Sequence, residues 1–275
     1  MPEGKRRLDV WLVQNGLADS REKAQALIAE GRIRVGDRTV RKASFPVSGE
    51  EPIERIGEAP RYVGRGGYKL EAALERAARR LDGMTALDVG ASTGGFTQCM
   101  LRYGAARVVS VDVGRGQLHP SLREDPRVCC MESTDIRRTE ALQPVMPAGG
   151  FDFVSVDVSF IPLSLVLPAA VSLLREGAGL VCLIKPQFEV GRSAVGKGGI
   201  VRDLRQHRRI LTEYAARFAA LRLSADFLMP SPIRGGDGNG EYLAYLEKCP
   251  EGQEARGLTA EEIEAAVEAM SRTAR

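Results

Sequence analysis

The chain has 275 residues, 44% hydrophobic and 27% charged, with a net charge of +3, which suits one small and one medium globular domain and excludes a disordered or fibrous chain. Its longest apolar run, residues 161–174, is broken by Pro162, Ser164, Pro168 and Ser172, so no membrane span is expected. Five cysteines without metal-like spacing and only two histidines, His119 and His207, argue against a disulfide framework and against a metal site.

The first residues, Met-Pro-Glu-Gly-Lys-Arg-Arg, are charged with no apolar core behind them, so no secretory signal and a cytoplasmic location are expected. Leu8, Val10, Trp11, Leu12 and Leu17 predict a short helix ending near Gly16. Asp19, three residues before Glu22, has the spacing of a capping box and predicts a second helix through Ala24, Leu27 and Ile28 to Gly31. Residues 32–35 and 38–40 alternate around Gly36-Asp37 and predict a hairpin. The series Leu8-Asp9-x-Trp11-Leu12, Ser20-Arg21-x-x-Ala24 and Ile28-x-x-Gly31-Arg32-Ile33-Arg34-Val35-Gly36-Asp37 resembles the S4-like RNA-binding domain.

Charge placement agrees with that resemblance. Residues 1–42 carry ten Lys/Arg against six Asp/Glu, residues 61–80 six against two, and residues 251–275 three against six, so a polyanion is expected to meet the front of the chain. Arg21 and Lys23 fall at the start of the second helix, whose N–H groups also favour a phosphate, and Arg32 and Arg34 belong to the hairpin. With Arg6, Arg7, Arg61 and Arg65 they form the expected RNA-binding set; solvated helix faces are the plainer alternative.

The S4-like domain is expected over residues 1–60, a linker around Pro60 over 61–64, and a catalytic domain over 65–275. Residues 69–81 carry a helical face of Leu70, Ala73, Leu74, Ala77 and Leu81. Strands are expected at 85–89, 107–111, 127–131, 151–156, 179–184, 225–229 and 242–246, with helices in most gaps. This rhythm predicts an α/β, mostly parallel, doubly wound Rossmann-like sheet, with ligands at the carboxyl ends of its strands.

The run Asp88-Val-Gly90-Ala91-Ser92-Thr93-Gly94-Gly95-Phe96 takes a strand through a glycine turn into a helix. It is neither G-x-G-x-x-G nor Walker A. Asp112 ends the next strand 22 positions after Gly90, placed to accept the two ribose hydroxyls of a nucleoside. Together these resemble the S-adenosyl-L-methionine site of class I methyltransferases. That resemblance implies cofactor binding at Asp88, along Gly90 to Phe96, and at Asp112, Asp135 and Asp157, with Asp135 accepting a hydrogen bond from the adenine amino group; a helix N-cap is the alternative for Asp135. A second glycine run, Gly191-Arg-Ser-Ala-Val-Gly196-Lys197-Gly198, places Gly198 where a P-loop needs Ser or Thr, and reads as a mobile loop.

Lys69, Asp157, Lys185 and Glu241 each fall at a strand end or just outside the sheet. With their neighbours they resemble the catalytic set of FtsJ-like ribose 2′-O-methyltransferases. A ribose hydroxyl is a weak nucleophile that must lose its proton as it attacks a methyl group, so a positioned base or orienting cation is required; Lys185 is the candidate. The plainer alternative is a pair of surface ion pairs.

End to end, the chain resembles the TlyA family of ribosomal RNA cytidine 2′-O-methyltransferases, whose members often carry a haemolysin label. The resemblance runs through Arg65-Gly-Gly-Tyr-Lys69, Gly114-Arg-Gly-Gln-Leu118, Asp157-Val-Ser-Phe-Ile161, Lys185-Pro-Gln-Phe-Glu189, Gly198-Gly-Ile-Val-Arg-Asp203 and Gly238-Asn-Gly-Glu241. It implies ribosomal RNA or assembled subunits as partner, and a monomer working without metal or membrane. A helix at 259–270 is similar to one that accompanies action on both subunits. The rivals are a membrane-active haemolysin, which would need an amphipathic or spanning segment, and a non-catalytic ribosome-binding factor.

Overall fold

The computed structural model describes residues 5–18, 20–57, 60–191 and 195–272. Backbone contacts divide the chain into two compact units, Met1–Arg61 and Tyr62–Arg275.

In the first unit β1 (Arg6–Arg7) runs into α1 (Leu8–Gln14) and α2 (Arg21–Ala29), followed by β2 (Ile33–Val35), β3 (Arg38–Val40), β4 (Pro46–Val47) and β5 (Ile53–Arg55). β1 pairs with β4, and β2 is the centre of an antiparallel sheet ordered β3-β2-β5. Leu8, Leu12, Ala24, Ile28, Ile33 and Val47 are fully buried between helices and strands. α2 is capped by Ser20, whose hydroxyl accepts the Lys23 N–H at 3.2 Å; Asp19, expected in that role, lies outside the described residues. Periodicity does not reveal β5, because three residues contain too little alternation to register.

The second unit runs α3 (Gly66–Arg76), β6 (Thr85–Val89), α4 (Gly95–Arg102), β7 (Arg107–Val111), α5 (Pro120–Arg123), β8 (Val128–Met131), β9 (Phe151–Val156), α6 (Leu167–Ser172), β10 (Leu174–Ile184), α7 (Pro186–Glu189), α8 (Leu204–Ala220), β11 (Leu223–Pro230), β12 (Tyr242–Lys248) and α9 (Ala260–Arg272). Its seven strands are ordered β11-β12-β10-β9-β6-β7-β8; β12 is antiparallel to both neighbours and the others are parallel. Successive residues of the central strands enter opposite cores: Leu87, Val109, Val154 and Val156 on one face, Ala86, Val108, Phe153 and Val181 on the other. A sheet buried on both faces explains why its strands read as unbroken apolar runs.

The largest departures from the expected boundaries are at α3 and β10. α3 starts three residues earlier, at two glycines, and stops at Arg76 instead of Leu81. A β-carbon on Gly67 would lie 2.2 Å from the Tyr62 ring, so close packing takes the place of helix propensity at its start. At its end Leu81 belongs to the return loop, where its N–H donates to Tyr103 O at 2.9 Å. β10 begins at Leu174 because an irregular register between Leu174 and Gly179 extends the pairing with β9. In the second glycine run, residues 192–194 lie outside the described residues, and Lys197–Gly199 forms one 3-10 turn.

Candidate active site

Chain order leaves β6 outward to β7 and β8 on one side and to β9 and β10 on the other, which opens a crevice at the carboxyl ends of β6 and β9. The residues directly after the parallel strands are Gly90, Asp112, Glu132, Asp157 and Lys185. The Asp157 N–H donates to Val89 O at 2.9 Å, fixing the two strand ends against each other. Gly90 has φ +83°, and a β-carbon there would lie 2.4 Å from Asp157 O, so the crevice requires glycine at this point.

Two cavities flank this junction. The larger, about 560 Å³, has apolar walls including Ile136, Val158 and Ile161, and polar ones including Asp112, Gln117 and Asp135. The smaller, about 240 Å³, is lined by Lys69, Ala91, Thr93, Gly95 and Phe96 together with Lys185. Gly90, Ser92, Asp157 and Ser159 line both.

Asp112 is held at the larger cavity by the N–H groups of Ser92 (2.8 Å, to Oδ2) and Gly114 (2.7 Å, to Oδ1). Asp135 lines the same cavity, but it caps no helix. Arg137 donates to both its oxygens, from 2.6 to 3.1 Å, and this guanidinium holds the carboxyl down at about 2. Asp88, counted by sequence among the cofactor contacts, reaches neither cavity: it is fully buried, accepting hydroxyls from Thr97 at 2.7 Å and Ser155 at 3.0 Å. It ties α4 and β9 together beneath the glycine turn, and burial pushes its carboxyl up to about 6. Gly94 is likewise set back, its φ of +94° letting Leu118 and Leu122 pack against the turn.

The four candidate catalytic residues form two ion pairs. Lys69 on α3 lies 2.5 Å from Glu241, a contact spanning 172 positions, with side-chain exposures of 9% and 3%. Lys185 lies 2.6 Å from Asp157 and donates to Ser159 at 2.9 Å. Three of the four line the smaller cavity, and Glu241 stands behind Lys69, where the Gln187 amide donates to it at 3.4 Å. Lys69, Glu241 and Lys185 are buried and Asp157 is half-buried, all at or behind a cavity, which sets aside the surface-pair alternative.

Residues that sequence reasoning passed over also meet here. Ser159 holds Lys185, and Phe160 beside it is 92% exposed with φ +65°, lining the larger cavity. Their signal was position: both lie in the loop that follows β9.

The expected RNA contacts are spread across both units. Arg7 and Arg21 both donate to Asp9, at 2.9 and 3.0 Å, and Gln25 joins them at 2.9 Å. Asp9 is fully buried, and the Arg7 guanidinium holds its carboxyl well below the usual range. Arg6 is exposed and bonds Gln14, and Arg34 is paired with Glu54 across β2 and β5, at 2.6 Å for the shorter contact. Arg32 lies 3.9 Å from Glu30; Lys23 and Arg61 are exposed; Arg65 lines the smaller cavity. Among the described residues no group of His, Cys, Asp and Glu could hold a metal ion, and no helix is long and apolar enough to cross a membrane.

Strand order, glycine turn and paired charges together define a class I methyltransferase. Residues 62–248 match the FtsJ-like methyltransferase family and residues 6–53 the S4 domain. The 16S/23S rRNA (cytidine-2′-O)-methyltransferase TlyA of Mycobacterium tuberculosis is 42% identical, over 95% of each chain. Hemolysin A of Brachyspira hyodysenteriae is 36% identical, over 87% of this chain and 99% of the relative. A solved structure described as a hemolysin from Streptococcus thermophilus is 38% identical with a TM-score of 0.77, covering 98% of this chain and 96% of that one. The chain belongs to the TlyA family.

Proposed function

We propose that this protein is an S-adenosyl-L-methionine-dependent enzyme that methylates the 2′-oxygen of cytidine in ribosomal RNA. The observation that carries the reading is the convergence of Lys69–Glu241 and Lys185–Asp157 on a cavity that shares Gly90, Ser92 and Asp157 with a nucleoside-sized one. The family match and the name of the mycobacterial relative support the substrate. The reading extends to a monomer that acts in the cytoplasm, where a ribosomal substrate would be met.

The residues fit the cofactor. A cradle that a β-carbon on Gly90 would fill suits close approach of backbone to ligand. Asp112 has acceptor capacity left for ribose hydroxyls, Asp135 is within the same cavity for an adenine amino group, and Ile136, Val158 and Ile161 offer apolar contact to a flat ring. When bound, the cofactor supplies a methyl group on a positively charged sulfur.

On the acceptor side, Lys185 is aimed by Asp157 and Ser159. In its amine form it takes the proton of the 2′-hydroxyl on Nζ, and the ammonium so formed is paired with Asp157. Lys69, neutralised by Glu241, holds the sugar oxygen in line; such placement accounts for several kcal/mol of the barrier, up to about 7–11 in well-oriented cases. Phe160 offers an exposed flat face on which a base can stack. Arg7 and Arg21, anchored by Asp9, stay partly exposed for phosphates.

Incubation of the protein with methyl-labelled cofactor and purified ribosomal subunits, followed by mapping of the labelled nucleotide, tests this. Label on a cytidine 2′-oxygen is the expected result. Label on a base, or RNA binding without transfer, would reject the proposal, and vesicle leakage in place of transfer would favour the haemolysin.

A further inference from the structure

Glu132 is the residue directly after β8, in the same row of strand ends as Asp112, Asp157 and Lys185. Its two oxygens accept three consecutive backbone N–H groups: Gly116 at 2.7 Å, Gln117 at 2.7 Å and Leu118 at 2.9 Å. Arg123 adds a contact at 2.9 Å, and the carboxylate side chain is 12% exposed. Successive N–H groups converging on one point make an anion nest, here filled by the protein itself. Those donors hold the Glu132 carboxyl down at about 2, so it stays charged at any working pH.

The loop so gathered, residues 112–118, joins both sides of the cofactor crevice. At its start Gly114 donates to Asp112, and its carbonyl accepts the Ser133 N–H at 2.8 Å. At its far end the His119 N–H donates to Thr93 O at 3.2 Å, and Leu118 packs where a β-carbon on Gly94 would be 2.8 Å away. Between these, Gly114 and Gln117 line the larger cavity. We propose that Glu132 is a positioning residue for the cofactor: its carboxylate fixes the 112–118 loop as a wall of the larger cavity and so sets cofactor affinity without touching the methyl acceptor. This rests on the reading that the cavity takes S-adenosyl-L-methionine.

Without the carboxylate, three converging N–H groups lose their charged acceptor, and the wall loosens. Glu132→Gln preserves shape but puts an amide donor against the nest; Glu132→Ala empties it. The experiment measures, for the full chain and both variants, the Kd of S-adenosylmethionine and S-adenosylhomocysteine by calorimetry. It also follows amide hydrogen exchange at residues 116–118 without cofactor, the melting temperature, and kcat with each KM. Kd for both ligands is expected to rise about tenfold in Glu132→Gln, the scale of one charged hydrogen bond removed, and further in Glu132→Ala. Exchange at 116–118 should quicken in both, with kcat and the KM for RNA within about twofold of the parent on the same scale. Should Glu132→Ala fail to fold, Glu132→Gln decides. Unchanged Kd in a folded Glu132→Gln protein would overturn this inference alone, whereas a parent protein with no affinity for either ligand would overturn the methyltransferase reading and this inference with it.

Discussion

Breaking the Lys69–Glu241 pair should cost more than its surface counterparts, and the structure sets the scale. At 2.5 Å and an effective dielectric of about 20, the attraction is about 7 kcal/mol. Removing two ions from water offsets most of that, so the pair itself adds little net stability, while loss of one partner strands the other in the interior at about 3–5 kcal/mol. Glu241→Gln leaves the Lys69 ammonium on α3 without its carboxylate; Lys69→Met leaves Glu241 with the Gln187 amide at 3.4 Å. The double variant strands nothing. Urea unfolding of the parent, both single variants and the double should therefore show each single variant destabilised by about 3 kcal/mol or more, and the double by about 2 kcal/mol less than their sum. Single variants within about 0.5 kcal/mol of the parent, with additive effects, would refute the claim that this is a buried, mutually dependent pair.

Two further outcomes are expected. Burial raises the Asp88 carboxyl from an ordinary 3.8 to about 6, so its contribution to stability is fully present below pH 3.8 and is lost as pH rises through 6. That loss is about 3 kcal/mol, and Asp88→Asn should therefore gain on the parent in melting temperature as pH rises from 4 to 7; a gap that is constant with pH would contradict the assignment. Arg7→Ala with Arg21→Ala, in an Asp9→Asn background that leaves no buried carboxylate stranded, should weaken RNA binding and make its dependence on salt shallower, by about one unit of log–log slope for each phosphate that is no longer neutralised, with cofactor Kd unchanged.

The parts of this molecule that could be read from sequence are those where one local rule decides. β6, β7 and β9 have the boundaries that their apolar runs predict, because strands buried on both faces are bounded by the first residue that leaves the core. Where tertiary contact overrides local preference, reading fails. The glycines that open α3 suggest a loop until the Tyr62 ring is seen against them, and Leu81 carries the helical phase but hydrogen-bonds in a return loop. Asp9 shows the same limit: a carboxylate in a seven-residue helix reads as solvated, yet it is buried by two arginines and a glutamine converging on it.

The site divides in the same way. Its four charged residues could be singled out because, with their neighbours, they resemble the FtsJ-like set, and the need to deprotonate a ribose hydroxyl explains ammonium and carboxylate groups there. Which ammonium meets which carboxylate could not, since Lys69 and Glu241 are 172 positions apart and no spacing rule joins them. That the Asp88 side chain lies beneath the glycine turn could not be read either, because a run of residue types does not say which way each side chain points. Glu132 escapes notice because backbone N–H groups leave no trace in residue identity.

The central claim is that two ammonium–carboxylate pairs at the crevice activate a sugar oxygen, and Lys185→Ala tests it most directly. In single-turnover transfer of labelled methyl to ribosomal subunits, beside calorimetric binding of the cofactor, the variant is expected to keep the parent's Kd for S-adenosylmethionine within about threefold while transfer falls at least about 100-fold. Transfer at the parent's rate by a folded Lys185→Ala protein would contradict the account.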